Sequence, residues 1–115
     1  LCTDGKIVED YNKDSKCGFS FSINGYNTLC KLMCMAYSKR GWAKKNPELR
    51  IIMLAGADDP CIISRDAFVK SVDIMKGIGY KNIASKLYKG LRHELLNESN
   101  YREIIDDILS KAPKA

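Results

Sequence analysis

The chain has 115 residues, 45% of them hydrophobic and 29% charged. The apolar share is too high for a disordered polymer, and no apolar run approaches the ~20 residues that a bilayer-spanning helix needs, so the expectation is one folded domain or part of one. Lys and Arg number 19 against 14 Asp and Glu, a mildly basic formal charge of +5 spread along the chain, and the composition excludes a fibre and a low-complexity tail.

The opening Leu1-Cys2-Thr3-Asp4-Gly5 lacks the basic start and apolar core of a signal peptide. Leu1 is not a methionine, and the residues after it are polar and unpatterned, which predicts a piece of a longer chain; removal of a tag would give the same start. Residues 1–24 read as irregular, with a short helix over Lys6–Lys13. Asn24-Gly25 offers a cap or turn, and Tyr26, Leu29, Cys30, Met33 and Tyr37 then recur at helical spacing, ending near Gly41. This stripe, with the adaptable Met33 and Met35, reads first as core and second as the lining of an apolar substrate channel. The cluster Lys39-Arg40-Gly41-Trp42-Ala43-Lys44-Lys45 is basic with one aromatic. A solvated loop with an anchored tryptophan is preferred over nucleic-acid binding, because no recognisable binding module surrounds it.

The character changes after Asn46-Pro47. Leu49–Ala55, continuously apolar after Arg50 and stopping at Gly56, predicts a strand buried on both faces, as in a parallel sheet. Gly56-Ala57-Asp58-Asp59-Pro60 is the loop beyond it. Ser64 is the expected N-cap of a helix carrying Phe68, Val69, Val72 and Met75 on one face and stopped by Gly77 and Gly79. A second strand is expected over Ile83–Tyr88, followed by the loop Lys89-Gly90-Leu91-Arg92-His93. Asn100, with Glu103 three residues on, predicts a capping box for a last helix with Ile104, Ile105, Ile108 and Leu109 as its buried stripe and Pro113 as its stop. Strand, helix, strand and helix in alternation imply right-handed parallel crossovers. The expected division is a mostly helical, cap-like segment over residues 1–46 and an α/β portion over residues 47–115.

Ligands of open parallel sheets bind beyond the carboxyl ends of the strands. Two loops lie there: one carries Asp58 and Asp59, the other the only histidine, His93. A carboxylate meeting an imidazole at such a rim would fix its tautomer and stabilise the imidazolium formed when it takes a proton. The five cysteines include no CxxC pair, and His93-Glu94-Leu95-Leu96-Asn97 lacks the second histidine of a zinc-protease motif. No metal site and no cofactor are expected. The cysteines read as free thiols of a cytoplasmic protein, and Glu94 and Glu98 as structural carboxylates that accept backbone N–H bonds.

The run Ile51-Ile52-Met53-Leu54-Ala55-Gly56-Ala57-Asp58-Asp59-Pro60, followed after a helix and a strand by Leu87-Tyr88-Lys89-Gly90-Leu91-Arg92-His93-Glu94-Leu95-Leu96-Asn97-Glu98, resembles the C-terminal part of an α/β-hydrolase. The resemblance covers residues 48–111. It is to the serine hydrolases of the lysophospholipase and monoacylglycerol-lipase-like, or serine aminopeptidase-type, group. Tyr11-Asn12-Lys13-Asp14-Ser15-Lys16-Cys17-Gly18-Phe19 resembles the cap region of that group more loosely.

The resemblance implies a Ser-Asp-His triad in which the acid, three residues after the strand-end glycine, is Asp59 and the base is His93; Asp58 falls at a variable position. Its chain order, serine then acid then histidine, places the nucleophile before both. No G-x-S-x-G occurs in the chain, and Gly18-Phe19-Ser20-Phe21-Ser22 lacks the last glycine as well as the flanking strand and helix. The serine is therefore expected upstream of Leu1. The implied substrate is a small, lipid-like monoacyl ester under an apolar cap. Nucleic-acid binding and a membrane span are not expected. The alternative is a non-catalytic interaction module or remnant. Either way the fragment is expected to self-associate through exposed sheet edges or to require the N-terminal part of its parent.

Overall fold

The computed structural model describes residues 1–112. Four helices and one two-stranded sheet alternate in the order α1 (Gly5–Lys13), α2 (Ile23–Tyr37), β1 (Ile51–Gly56), α3 (Arg65–Ile78), β2 (Ile83–Tyr88) and α4 (Tyr101–Lys111), with short 3-10 turns at Pro60–Ile62 and Leu95–Asn97. The small α/β portion is thus a parallel β–α–β unit closed by a helix. Strands β1 and β2 pair in parallel from Ile51 opposite Ile83 to Gly56 opposite Tyr88. Both strands therefore end at the same edge, and the loops after them emerge side by side.

The helix starts follow from short polar side chains. The Asp4 carboxylate accepts from the Lys6 and Ile7 N–H groups at the head of α1, and Ser22 and Ser64 accept from Gly25 and Ala67 at the heads of α2 and α3. Helix α3 runs through Gly77 and stops at Gly79, whose φ of 122° an L side chain resists.

The core gathers Phe68, Val72 and Ile78 of α3 with Tyr80, Tyr88, Ile104 and Cys2. Asp107 ties α4 to the sheet: its carboxylate accepts from Lys86, Tyr88 and Lys111. The hydrogen bond from Lys111, then those from Lys86 and Tyr88, hold it well below the usual carboxylate range. No helix among the described residues is long and apolar enough to cross a membrane.

Several expectations are corrected. β1 begins at Ile51 rather than Leu49, includes Gly56, and is half-buried over residues 51–55 rather than covered on both faces. One parallel neighbour and one packed helix do not enclose a strand. Helix α2 begins at Ile23 after the Ser22 cap, so Asn24-Gly25 lies inside its first turn, and it ends at Tyr37, short of Gly41. It buries no residue: Tyr26, Leu29, Leu32, Met33, Met35 and Tyr37 are all exposed, so the stripe is not core.

In α4 only Ile104 is fully buried, while Ile105 and Leu109 are exposed. The capping box is absent, because Asn100 gives no side-chain cap and its buried Oδ1 has no partner; its Nδ2 instead reaches Glu103 at 3.4 Å. The turn at Leu95–Asn97 delivers Asn100 with φ −99° and ψ 24°, outside the extended geometry that aims a cap side chain at the helix. The stop expected at Pro113 lies outside the described residues.

Candidate active site

Gly56 explains why the two loops touch. A Cβ at this last β1 residue would lie 2.2 Å from the Leu91 carbonyl oxygen and 2.4 Å from that of Arg92. Only glycine lets the chain after β2 fold back over the end of β1. Backbone bonds then stitch the loops together: Ala57 N–H donates to the Tyr88 carbonyl at 2.8 Å and Asp58 N–H to the Leu91 carbonyl at 3.0 Å.

The stitching brings Asp59 and His93, 34 residues apart, into direct contact, with His93 Nδ1 2.9 Å from Asp59 Oδ2. Asp59 is buried at 6% exposure, whereas the His93 side chain is 58% exposed. The other carboxylate oxygen, Oδ1, accepts from the Cys61 N–H at 2.8 Å as the cap of the 3-10 turn, which fixes the carboxylate plane. Burial pushes the Asp59 carboxyl up, but the hydrogen bonds from His93 and Cys61 outweigh it, and its pKa lies below the ordinary value. An ionised carboxylate only accepts, so the proton of a neutral imidazole sits on Nδ1 and Nε2 keeps its lone pair. Such a pair suits taking a proton at Nε2, with the carboxylate beside the imidazolium that would form.

A second buried carboxylate supports the His93 loop. Glu98, 1% exposed, accepts from the Arg92 N–H at 2.8 Å, the Thr3 N–H at 3.0 Å and the Thr3 hydroxyl. His93 N–H donates to the Leu1 carbonyl at 3.0 Å. The segment before α1 is thereby pinned against the site. Glu98 acts as the structural acceptor expected of it, while the Glu94 carboxylate accepts from the Asn97 side chain rather than from a backbone N–H among the described residues. Asp58 is exposed and contributes its backbone N–H.

Past the 3-10 turn, Ser64 N–H returns to the Ile62 carbonyl at 2.7 Å and forces Ile63 to φ 64° and ψ −53°. This is the strained form of γ-turn, rare for a β-branched residue.

Sequence reasoning missed Cys61. Its sulfur lies with an Asp59 carboxylate oxygen and a His93 ring nitrogen in a group whose members are all within 4.8 Å of one another. Partial desolvation of the exposed side chain and the Asp59 carboxylate push its thiol pKa up. The only hint in the sequence was its position two residues after Asp59. All five cysteines are free thiols.

Away from this edge, Leu32, Met35, Ala36 and Trp42 help line a groove of about 460 Å³, so Met35 of the expected channel lines a cavity while Met33 does not line it. Trp42 is anchored rather than free to stack on a base: its Nε1–H donates to the Ser38 carbonyl at 2.7 Å and its ring meets Tyr80 edge-on. Lys39, Arg40, Lys44 and Lys45 around it are exposed. No protein-family model matches the chain, and no curated protein matches it.

Proposed function

We propose that the chain is the C-terminal portion of a serine hydrolase of the α/β-hydrolase type that cleaves carboxylic esters. The observation that carries this reading is the 2.9 Å contact between a buried carboxylate and an exposed imidazole at the carboxyl edge of two parallel strands. Asp59 orients His93, and His93 Nε2 takes the proton of a serine hydroxyl supplied by an upstream segment. His93 then returns that proton to the leaving alcohol. The resemblance to the lysophospholipase and monoacylglycerol-lipase-like group suggests a lipid-like monoacyl ester. The apolar side chains of α2 suit a cover for such a chain.

The test is turnover of monoacyl glycerol and short p-nitrophenyl esters by the full-length protein that contains this chain. His93→Ala should lower kcat by about 10³-fold or more, and Asp59→Asn by a similar factor with little change in KM. Unchanged turnover in His93→Ala overturns the reading.

A second reading, an interaction module without catalysis, is favoured by one observation. Phe19, Phe21, Ile23, Leu32, Met35 and Tyr37 are each more than half exposed, a run of apolar surface unusual for a free monomer. It predicts association without ester turnover in the full-length protein.

A further inference from the structure

The side chains of Asp59, Cys61 and His93 form a donor set that neither the triad chemistry nor the sequence spacing required. We infer that this edge binds a borderline-soft divalent cation, zinc above all, through Asp59 Oδ2, Cys61 Sγ and His93 Nδ1. A carboxylate oxygen of Asp59, the Cys61 sulfur and a ring nitrogen of His93 lie within 4.8 Å of one another, and Asp59 Oδ2 and His93 Nδ1 are already 2.9 Å apart. Zinc bonds of about 2.0–2.3 Å to oxygen, nitrogen and sulfur in a tetrahedron place neighbouring donors roughly 3.3–3.6 Å apart. A small opening of the Asp59–His93 pair and a small approach of the sulfur meet that spacing.

The surroundings permit those movements. Cys61 and His93 are exposed, so both can turn, and solvent can fill the fourth position. Asp59 is the fixed member: its Oδ1 is held by the Cys61 N–H, which leaves Oδ2 for the ion. Thiolate, imidazole and carboxylate together select zinc over magnesium or calcium, which take oxygen ligands.

Binding moves two protons. The Cys61 thiol loses its proton to solvent, and the Nδ1 proton of His93 passes through solvent to Nε2 so that Nδ1 can bind the ion, a net release of one. The Nε2 lone pair is then gone. On the hydrolase reading, and only on it, the cation would silence the base. The binding itself stands apart from that reading.

The experiment is a cobalt(II) titration of the reduced chain, read by the near-ultraviolet thiolate-to-cobalt charge-transfer band and by competition with zinc. One equivalent should give the band. Cys61→Ser should abolish it, His93→Ala should weaken binding at least about tenfold, and Cys30→Ser/Cys34→Ser should keep it.

A second measurement needs no variant. His93 is the only histidine, so its ring resonances are unambiguous, and one equivalent of zinc should shift them. A band that survives in Cys61→Ser, a band lost in Cys30→Ser/Cys34→Ser, or His93 signals unmoved by zinc overturns the assignment. Such a failure leaves the ester-hydrolase assays untouched, and an inactive full-length protein leaves the cobalt result untouched.

Discussion

At the residue scale, the site rests on a few atoms whose identity the sequence announces unevenly. Asp59 and His93 could be paired on paper because each follows a strand and ligands gather at the carboxyl ends of parallel strands. Cys61 could not, because its place depends on the 3-10 turn that Asp59 caps, a local conformation that Pro60 permits but does not announce. Ile63 was equally illegible. Nothing in Ile62-Ile63-Ser64 signals a positive φ, and the strain arises only because the turn must hand the chain to the Ser64 cap. With its side chain 87% exposed, Ile63 makes almost no packing contribution to lose. Ile63→Gly should therefore raise stability by about 1 kcal/mol, the relief of the left-handed strain less the entropy of glycine. Urea denaturation measures it, and a loss of stability would show that the turn is not strained.

At the element scale, the helices and strands were readable where local chemistry sets them. Ser64 caps α3, and β2 occupies the expected Ile83–Tyr88. Periodicity told which face of α2 is apolar but not that nothing would cover it, and the Asn100–Glu103 spacing could not foresee the backbone geometry in which Asn100 arrives. The docking of the two site loops depends on Gly56. Gly56→Ala places a methyl against two backbone carbonyls that no side-chain rotation can relieve. It should cost about 1–3 kcal/mol and, on the proposed hydrolase reading, lower ester turnover by displacing His93; calorimetry and the ester assay read the two effects.

Glu98 sets a pH dependence for the same loop. Burial raises its carboxyl pKa, yet the hydrogen bonds from Thr3 and Arg92 bring it below the ordinary value in the folded chain. A depressed folded pKa adds stability that is complete above the unfolded value of about 4.3 and is lost as pH falls through the lower folded value. Wild-type Tm should fall across that acid window, and Glu98→Gln should flatten the fall while lowering Tm at neutral pH. An unaltered profile in Glu98→Gln would remove Glu98 from this role.

At the scale of the whole molecule, among the described residues the two-stranded sheet has both outer edges unpaired and α2 buries no residue, features that favour association. The isolated chain should sediment as an oligomer at micromolar concentration, and Leu32→Asp with Met35→Asp should shift it toward the monomer. A monomer in the wild type at every concentration would contradict this.

The proposed chemistry turns on one proton. On the proposed reading, Asp59 holds a neutral His93 with its proton on Nδ1 and its lone pair on Nε2, the form that would act as the base. The nitrogen-15 NMR spectrum of this sole imidazole reports the tautomer directly. Among neutral imidazole forms the Nδ1–H tautomer should dominate and lose its dominance in Asp59→Asn; a dominant Nε2–H form in the wild type, or a spectrum indifferent to Asp59→Asn, would refute the assignment of His93 as that base.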